Sequence, residues 1–162
     1  NGHFGHTITR NFLHDAFNLL FYTKLSESKD EALAALAAKS LKEVKYHLRH
    51  STNWLIRLGD GTEDSNEKVQ ESLEQIWQFT AELFEMDEID TELVNAGIGV
   101  DNAALKLEWD EIVNTTLKKA KLSRPKDVYM ATGGKKGMHT EYLGFLLAEM
   151  QYLQRAYPDA KW

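Results

Sequence analysis

DEALAALAAKSLKEVKYHLRHSTNWLIRLG, residues 30–59, decides the fold. Leu33, Ala37, Leu41, Val44, Leu48, Leu55 and Leu58 recur at helical spacing along it, so one apolar stripe runs down an otherwise polar stretch. Asp30 suits the N-cap, where its carboxylate accepts orphan backbone N–H groups, and Gly59 stops the helix. A helix over about residues 30–58 is about 43 Å long at 1.5 Å per residue, the scale of a large helical bundle.

The flanking segments carry the same period. Ile8, Phe12, Leu13, Ala16, Phe17, Leu20 and Phe21 predict a helix over about 7–25. With the helix over 30–58 it forms an antiparallel hairpin. The turn GDGTEDS (59–65) leads to a third helix over about 65–86, with Asp64 and Glu67 placed like a capping box. Residues 87–100 are expected to be irregular. A fourth helix is predicted over about 102–122, capped by Asp101, and a fifth over about 140–156, ending before Pro158. No segment alternates as a strand would, and the predicted class is all-α.

Of 162 residues, none is cysteine, which excludes disulfides, thiolate metal sites and a cysteine nucleophile. No apolar run reaches the roughly 20 residues of a membrane span. The formal net charge is −6, and the acidity is local: 12 acidic residues and one basic residue, Lys68, fall between Gly59 and Glu92. Such a belt repels phosphate backbones, so nucleic-acid binding is not expected. Its simpler role is a solvated helix face. The chain opens at Asn1 without an initiator Met, and NGHFGH (1–6) reads as a loop entering a helix. The expectation is a processed or truncated chain.

Three groups of residues invite a chemical reading. Glu43, His47 and His50 lie at i, i+4 and i+7 on one side of the second helix, where two imidazoles and a carboxylate could begin a zinc or iron site. A carboxylate-bridged di-iron bundle needs Glu-x-x-His on two helices and a carboxylate on each of two others. Here the spacing is Glu-x-x-x-His, and it occurs on one helix. A polar stripe at a helix interface accounts for the same residues. Asp15, near His14 on the first helix, is a further candidate ligand, but at the core edge it would more simply form a salt bridge.

The run Gly133-Gly134-Lys135-Lys136-Gly137 resembles an anion nest with two added charges, and it is also what a flexible connector looks like. It lacks P-loop spacing. Docking of a partner or of coenzyme phosphates is therefore assigned to Lys135, Lys136, His139 and Glu141. Thr140 and Glu141 are also explained as the cap and first turn of the last helix. No Gly-x-Ser-x-Gly elbow is present, and no residue is assigned a catalytic role.

The stretches AKSLKEVKYHLRHSTNWLIRLGDG (38–61), FTAELFEMDEID (79–90) and above all TGGKKGMHTEYLGFLLAEMQYLQ (132–154) resemble the C-subunit family of bacterial phenylacetyl-CoA epoxidases. The opening NGHFGHTITRNFLHDAF fits the same family, so the resemblance covers essentially the whole chain. It implies a partial ferritin-like bundle, with residues 1–162 as a single helical domain. It also implies a further pair of core helices upstream of Asn1. The family's enzyme complex epoxidises the ring of phenylacetyl-CoA with O2 in aerobic phenylacetate degradation. The resemblance places the di-iron centre in a catalytic A subunit and no cofactor in this chain. It makes this chain the structural partner in a cytoplasmic hetero-oligomer, with electrons from a reductase subunit. Two other functions fit the residues: a metal-dependent oxidase in its own right, and a helical adaptor with no redox role.

Overall fold

The structure, a computed structural model, describes residues 2–161. Among them every regular element is a helix, as the apolar period requires. The elements are α1 (Phe4–Leu25), α2 (Glu31–Gly59), α3 (Glu63–Trp77), α4 (Glu88–Asn95), α5 (Lys106–Lys119), α6 (Glu141–Met150) and α7 (Tyr152–Ala156), with short 3-10 turns at Thr80–Phe84, Ala103–Leu105 and Gly134–Lys136. The chain divides into two compact units, Asn1–Ala131 and Thr132–Trp162.

In the larger unit α1 and α2 form the expected hairpin. Phe4 meets Trp54 edge-on, with ring centroids 5.2 Å apart, at the end remote from the turn. Asp30 caps α2 by accepting the Leu33 N–H at 3.0 Å. The five residues between the helices are tied down from outside. Lys29 N–H donates to the Gly97 carbonyl at 2.9 Å, and the Ser28 hydroxyl donates to that of Ile98 at 2.8 Å. Gly97 has φ +75, the left-handed geometry that closes α4, so this clamp depends on a residue without Cβ.

Several boundaries differ from expectation. Helix α1 starts at Phe4, because His3 takes the cap position and its Nδ1 accepts the His6 N–H at 3.3 Å. Asn1 lies outside the described residues. The cap of α3 is Thr62, whose hydroxyl accepts the Ser65 N–H at 3.2 Å, rather than Asp64. Asp64 instead pairs with Lys68 one turn on, at 2.7 Å. The helix expected over 65–86 ends at Trp77, and a 3-10 turn carries on. That turn aims Phe84 between Phe17 and Trp109, at 5.7 and 5.3 Å between centroids. Part of the expected irregular stretch, Glu88–Asn95, is helical: Asp87 and Asp90 close a reciprocal capping box.

The core lies where α3 and α5 pack onto the hairpin. Phe12, Leu55, Leu73 and Val113 are fully buried there, and Trp109 sends its indole N–H into the Leu13 carbonyl at 2.9 Å. Phe12 and Phe17 of the hairpin are thus covered within the unit itself. Much of the acidic belt is exposed on α3 and α4, as a solvated face should be.

After α5 the chain is held to this core by charge. Asp110 receives the Arg124 guanidinium at 2.7 Å and the Lys106 ammonium at 3.0 Å. Arg124 also stacks over Trp77, 4.8 Å from the ring centroid, and the Trp77 indole donates to Asp127 at 2.7 Å. Burial pushes the Asp110 pKa up, but the hydrogen bonds from Arg124 and Lys106 outweigh it and the net shift is downward from 3.8. A carboxyl whose folded pKa is depressed stabilises the fold above its unfolded pKa and loses that contribution as pH falls through the folded one. Stability should therefore drop on acidification below about pH 4, and Asp110→Asn should make that acid limb shallower. Urea midpoints of the two proteins between about pH 5 and pH 2 check this; parallel curves would remove Asp110 as a cause.

The smaller unit begins with a glycine-framed turn. Gly133 (φ +91) and Gly137 (φ +83) are both left-handed, and the N–H groups of Lys136 and Met138 return to the Gly133 carbonyl at 2.9 and 3.0 Å. The helix expected over 140–156 appears as α6 and α7, interrupted at Gln151. Thr140 holds the cap position of α6 in extended geometry without a side-chain cap bond. No buried residue lies in either helix.

Candidate functional site: the polar face of the hairpin and the C-terminal unit

Glu43, His47 and His50 lie on α2, and none of the three is buried. Tyr46 stands among them. Its ring stacks on His50 with centroids 6.2 Å apart, meets His47 edge-on at 6.2 Å, and carries the Arg49 guanidinium 5.4 Å from its centroid. These imidazoles thus lean on an aromatic ring and do not converge on a common point.

Asp15 takes a different partner from the cation expected for it. Half-buried on α1, it accepts the Ser51 hydroxyl from α2 at 2.8 Å. Ser51 is buried, and its oxygen also lies 3.0 Å from the His47 carbonyl and 3.3 Å from that of Leu48, so one proton is shared among three acceptors, with Asp15 the nearest. His14 is exposed and bonds Asn18 at 2.9 Å. Nothing in the spacing of Asp15 and Ser51, 36 positions apart, marks them as a pair.

Among the described residues no three His, Asp or Glu side chains come together as a group able to hold a metal ion. The donors that are present do not fit a di-iron centre. Such a centre draws on ligands from several facing helices, and the candidates here are one stripe on a single helix plus a carboxylate already bonded to a hydroxyl. The Asp15–Ser51 bond is a packing contact between α1 and α2. Ser51→Ala should lower stability by about 1–2 kcal/mol, because it strands a half-buried carboxylate, whereas His50→Ala should stay within about 0.5 kcal/mol. Chemical denaturation of both variants decides. Equal losses would mean the histidine face has packing that its exposure does not reveal.

In the smaller unit Lys135, Lys136 and His139 are exposed around the glycine turn, and Glu141 occupies the first turn of α6, where the helix dipole favours its charge. The arrangement offers cations on a turn whose backbone is fixed by two left-handed glycines.

Sequence reasoning missed the cluster of Trp77, Lys106, Asp110 and Arg124. Lys106 and Asp110 are legible as an i, i+4 pair. The arrival of Arg124 over Trp77 depends on the extended path after α5, which has no period to read. No helix among the described residues is long and apolar enough to cross a membrane.

Comparison with known proteins bears on what this fold serves. The C subunit of the 1,2-phenylacetyl-CoA epoxidase of Escherichia coli (strain K12) is 49% identical over 162 residues, which is 100% of this chain and 65% of that protein. The chain therefore spans just under two-thirds of the length of this relative. The family model described as phenylacetic acid catabolic protein matches residues 1–162, and the all-helical architecture is consistent with the ferritin-like bundle of that family. With every residue covered by that match, the chain belongs to the phenylacetic acid catabolic protein family.

Proposed function

We propose that this chain is the structural, non-catalytic subunit of a cytoplasmic di-iron monooxygenase that epoxidises phenylacetyl-CoA, with the iron held by a homologous catalytic A subunit. The observation that carries the reading is 49% identity, along the whole chain, to a protein named as the C subunit of a 1,2-phenylacetyl-CoA epoxidase. The residues support it from the other side. The Glu43-x-x-x-His47 spacing and the Ser51-bonded Asp15 are unsuited to ligate two irons from facing helices. Residues 1–162 act in this reading as the C-terminal part of one ferritin-like subunit. An oxidase built by this chain alone finds no such support.

Co-expression with the catalytic subunit, followed by purification on a tag carried by this chain, tests the proposal. The expected result is a stable hetero-oligomer whose iron scales with copies of the catalytic subunit. About two irons per copy of this chain when it is expressed alone, lost on His47→Ala, would overturn it.

Lys135, Lys136, His139 and Glu141 are proposed to serve docking in that assembly. Lys135→Glu with Lys136→Glu should weaken binding of the catalytic subunit or raise KM for the CoA ester. The effect should shrink as salt rises, because exposed charges are screened within about 8 Å at physiological ionic strength. Unchanged affinity and KM with collapsed turnover would instead implicate the turn in catalysis.

A further inference from the structure

Opposite charges are sorted onto two consecutive helices. Between residues 39 and 57 of α2, Lys39, Lys42, Lys45, Arg49 and Arg57 are exposed, and at 3.6 residues per turn they fall within about 120° of its circumference. Glu43 is the one acidic residue in that stretch, and it lies outside the arc. Tyr46 holds the Arg49 guanidinium 5.4 Å from its ring centroid, and Trp54 holds that of Arg57 at 5.7 Å. On α3, Glu63, Asp64, Glu67, Glu71 and Glu74 are exposed within about 100° of its circumference. Lys68 lies beside that arc and pairs with Asp64. Each stripe faces away from the buried residues of its own helix.

Neither stripe is neutralised from within. Among the described residues no carboxylate pairs with any of those five cations, and no cation pairs with Glu63, Glu67, Glu71 or Glu74. Along most of each stripe, successive charges stand three or four positions apart, the spacing at which like charges repel on a helix. Residues 132–162 hold four basic and three acidic residues, with no run of carboxylates to meet the α2 stripe. The same charges exclude an apolar cover, because an unpaired ammonium or carboxylate is far less stable in an apolar contact than in water. Whatever covers either stripe must carry the opposite charge.

We infer that the basic stripe of α2 docks on the acidic stripe of α3 in a second copy of this chain. The complementarity that selects this occupant is carried by the chain itself. At about 1.5 Å per residue, the cations from Lys39 to Arg57 extend about 27 Å along α2, and the carboxylates from Glu63 to Glu74 about 17 Å along α3, so the shorter stripe fits within the longer. Both repeat charge at helical spacing, so one register brings several opposite pairs together, and a shifted one sets fewer of them face to face. A nucleic acid is the poorer occupant. Phosphates drawn to α2 would meet, on the next helices, the belt of 12 acidic residues between Gly59 and Glu92. The inference stands apart from the subunit reading above, since it needs no other protein.

The test compares the full chain, alone in solution, with two charge-reversed forms. One carries Lys42→Glu, Lys45→Glu and Arg49→Glu; the other carries Glu67→Lys, Glu71→Lys and Glu74→Lys. Sedimentation over a range of concentrations and thermal melting are the readouts. The unaltered chain should self-associate, and its dissociation constant should rise by roughly tenfold or more between about 0.05 M and 0.5 M salt. Each reversed form alone should stay monomeric and melt like the unaltered monomer. An equimolar mixture of the two should associate again, because the reversed α2 of one then faces the reversed α3 of the other. An unaltered chain that is monomeric at every concentration in low salt would overturn the inference. So would self-association that survives either reversal, or a mixture that stays monomeric. A lower melting temperature of either reversed monomer would overturn it in favour of cover by another part of the same polypeptide. Binding of double-stranded DNA that the α2 reversal abolishes, with self-association untouched, would overturn it in favour of a nucleic acid.

Discussion

Trp109→Ala is expected to cost the larger unit about 3–5 kcal/mol, a large share of the stability of a domain this size. Trp109 is 1% exposed and sits on α5 where three elements meet. Its ring lies 5.8 Å from that of Trp77 and 5.3 Å from that of Phe84, centroid to centroid. Its indole N–H reaches the Leu13 carbonyl on α1 at 2.9 Å. Truncation removes the ring, opens a cavity between helices that cannot all close on it, and deletes a polar tie between α5 and α1. The melting temperature should fall by on the order of 10–20 °C. Trp109→Phe keeps an aromatic body and loses the N–H, so it should lose clearly less. A fall of only two or three degrees for the alanine variant would mean that α5 is not needed to close the core.

Gly59→Val should be nearly as damaging, by a different route. Gly59 ends α2 and lies against the end of α5: a Cβ there would overlap the Ala120 carbonyl oxygen and come within 3.0 Å of the Ala120 Cβ. Backbone occupies the space, and backbone cannot swing aside as a side chain can. The junction is further fixed from α3, whose Ser65 hydroxyl donates to the Leu58 carbonyl and whose Asn66 amide donates to the Gly59 carbonyl, both at 2.6 Å. Overpacking of a fixed site costs about 1–3 kcal/mol, and a β-branched residue belongs at or beyond the upper end. Gly144→Ala is the control. It is also a helical glycine, but open on all sides, so it should gain about 0.5–1 kcal/mol of helix stability. Thermal melts of the two variants should move in opposite directions. A shared direction would show that loss of glycine, not the collision with Ala120, sets the result.

The legible parts of this protein were those with period or punctuation. The α1 and α2 stripes gave the hairpin, and Asp30 gave its second cap, because both signals arise within one or two helical turns. The end of α3 was illegible for the opposite reason. Residues 78–86 keep helical spacing, but the chain leaves the α-helix so that Phe84 can fill the gap between Phe17 and Trp109, and that gap exists only after α1 and α5 have packed. Asp87 and Asp90 formed a cap pair that the two nearby glycines obscured. Among candidate site residues, Glu43, His47 and His50 were legible as one face of a helix. Whether they meet other donors was not a property of that helix.

What the sequence determined by itself is the class of the fold and the helix that dominates it, since an apolar period of 3.6 with caps at fixed offsets is a local property of the chain. Tertiary structure alone decided that Asp15 bonds Ser51, that Arg124 closes over Trp77 onto Asp110, and that Gly59 yields its space to Ala120. Each of these joins residues distant in the chain. Which side chains meet at such distances is set by the crossing of packed helices and the path of the aperiodic segments between them, and neither leaves a repeat in the sequence.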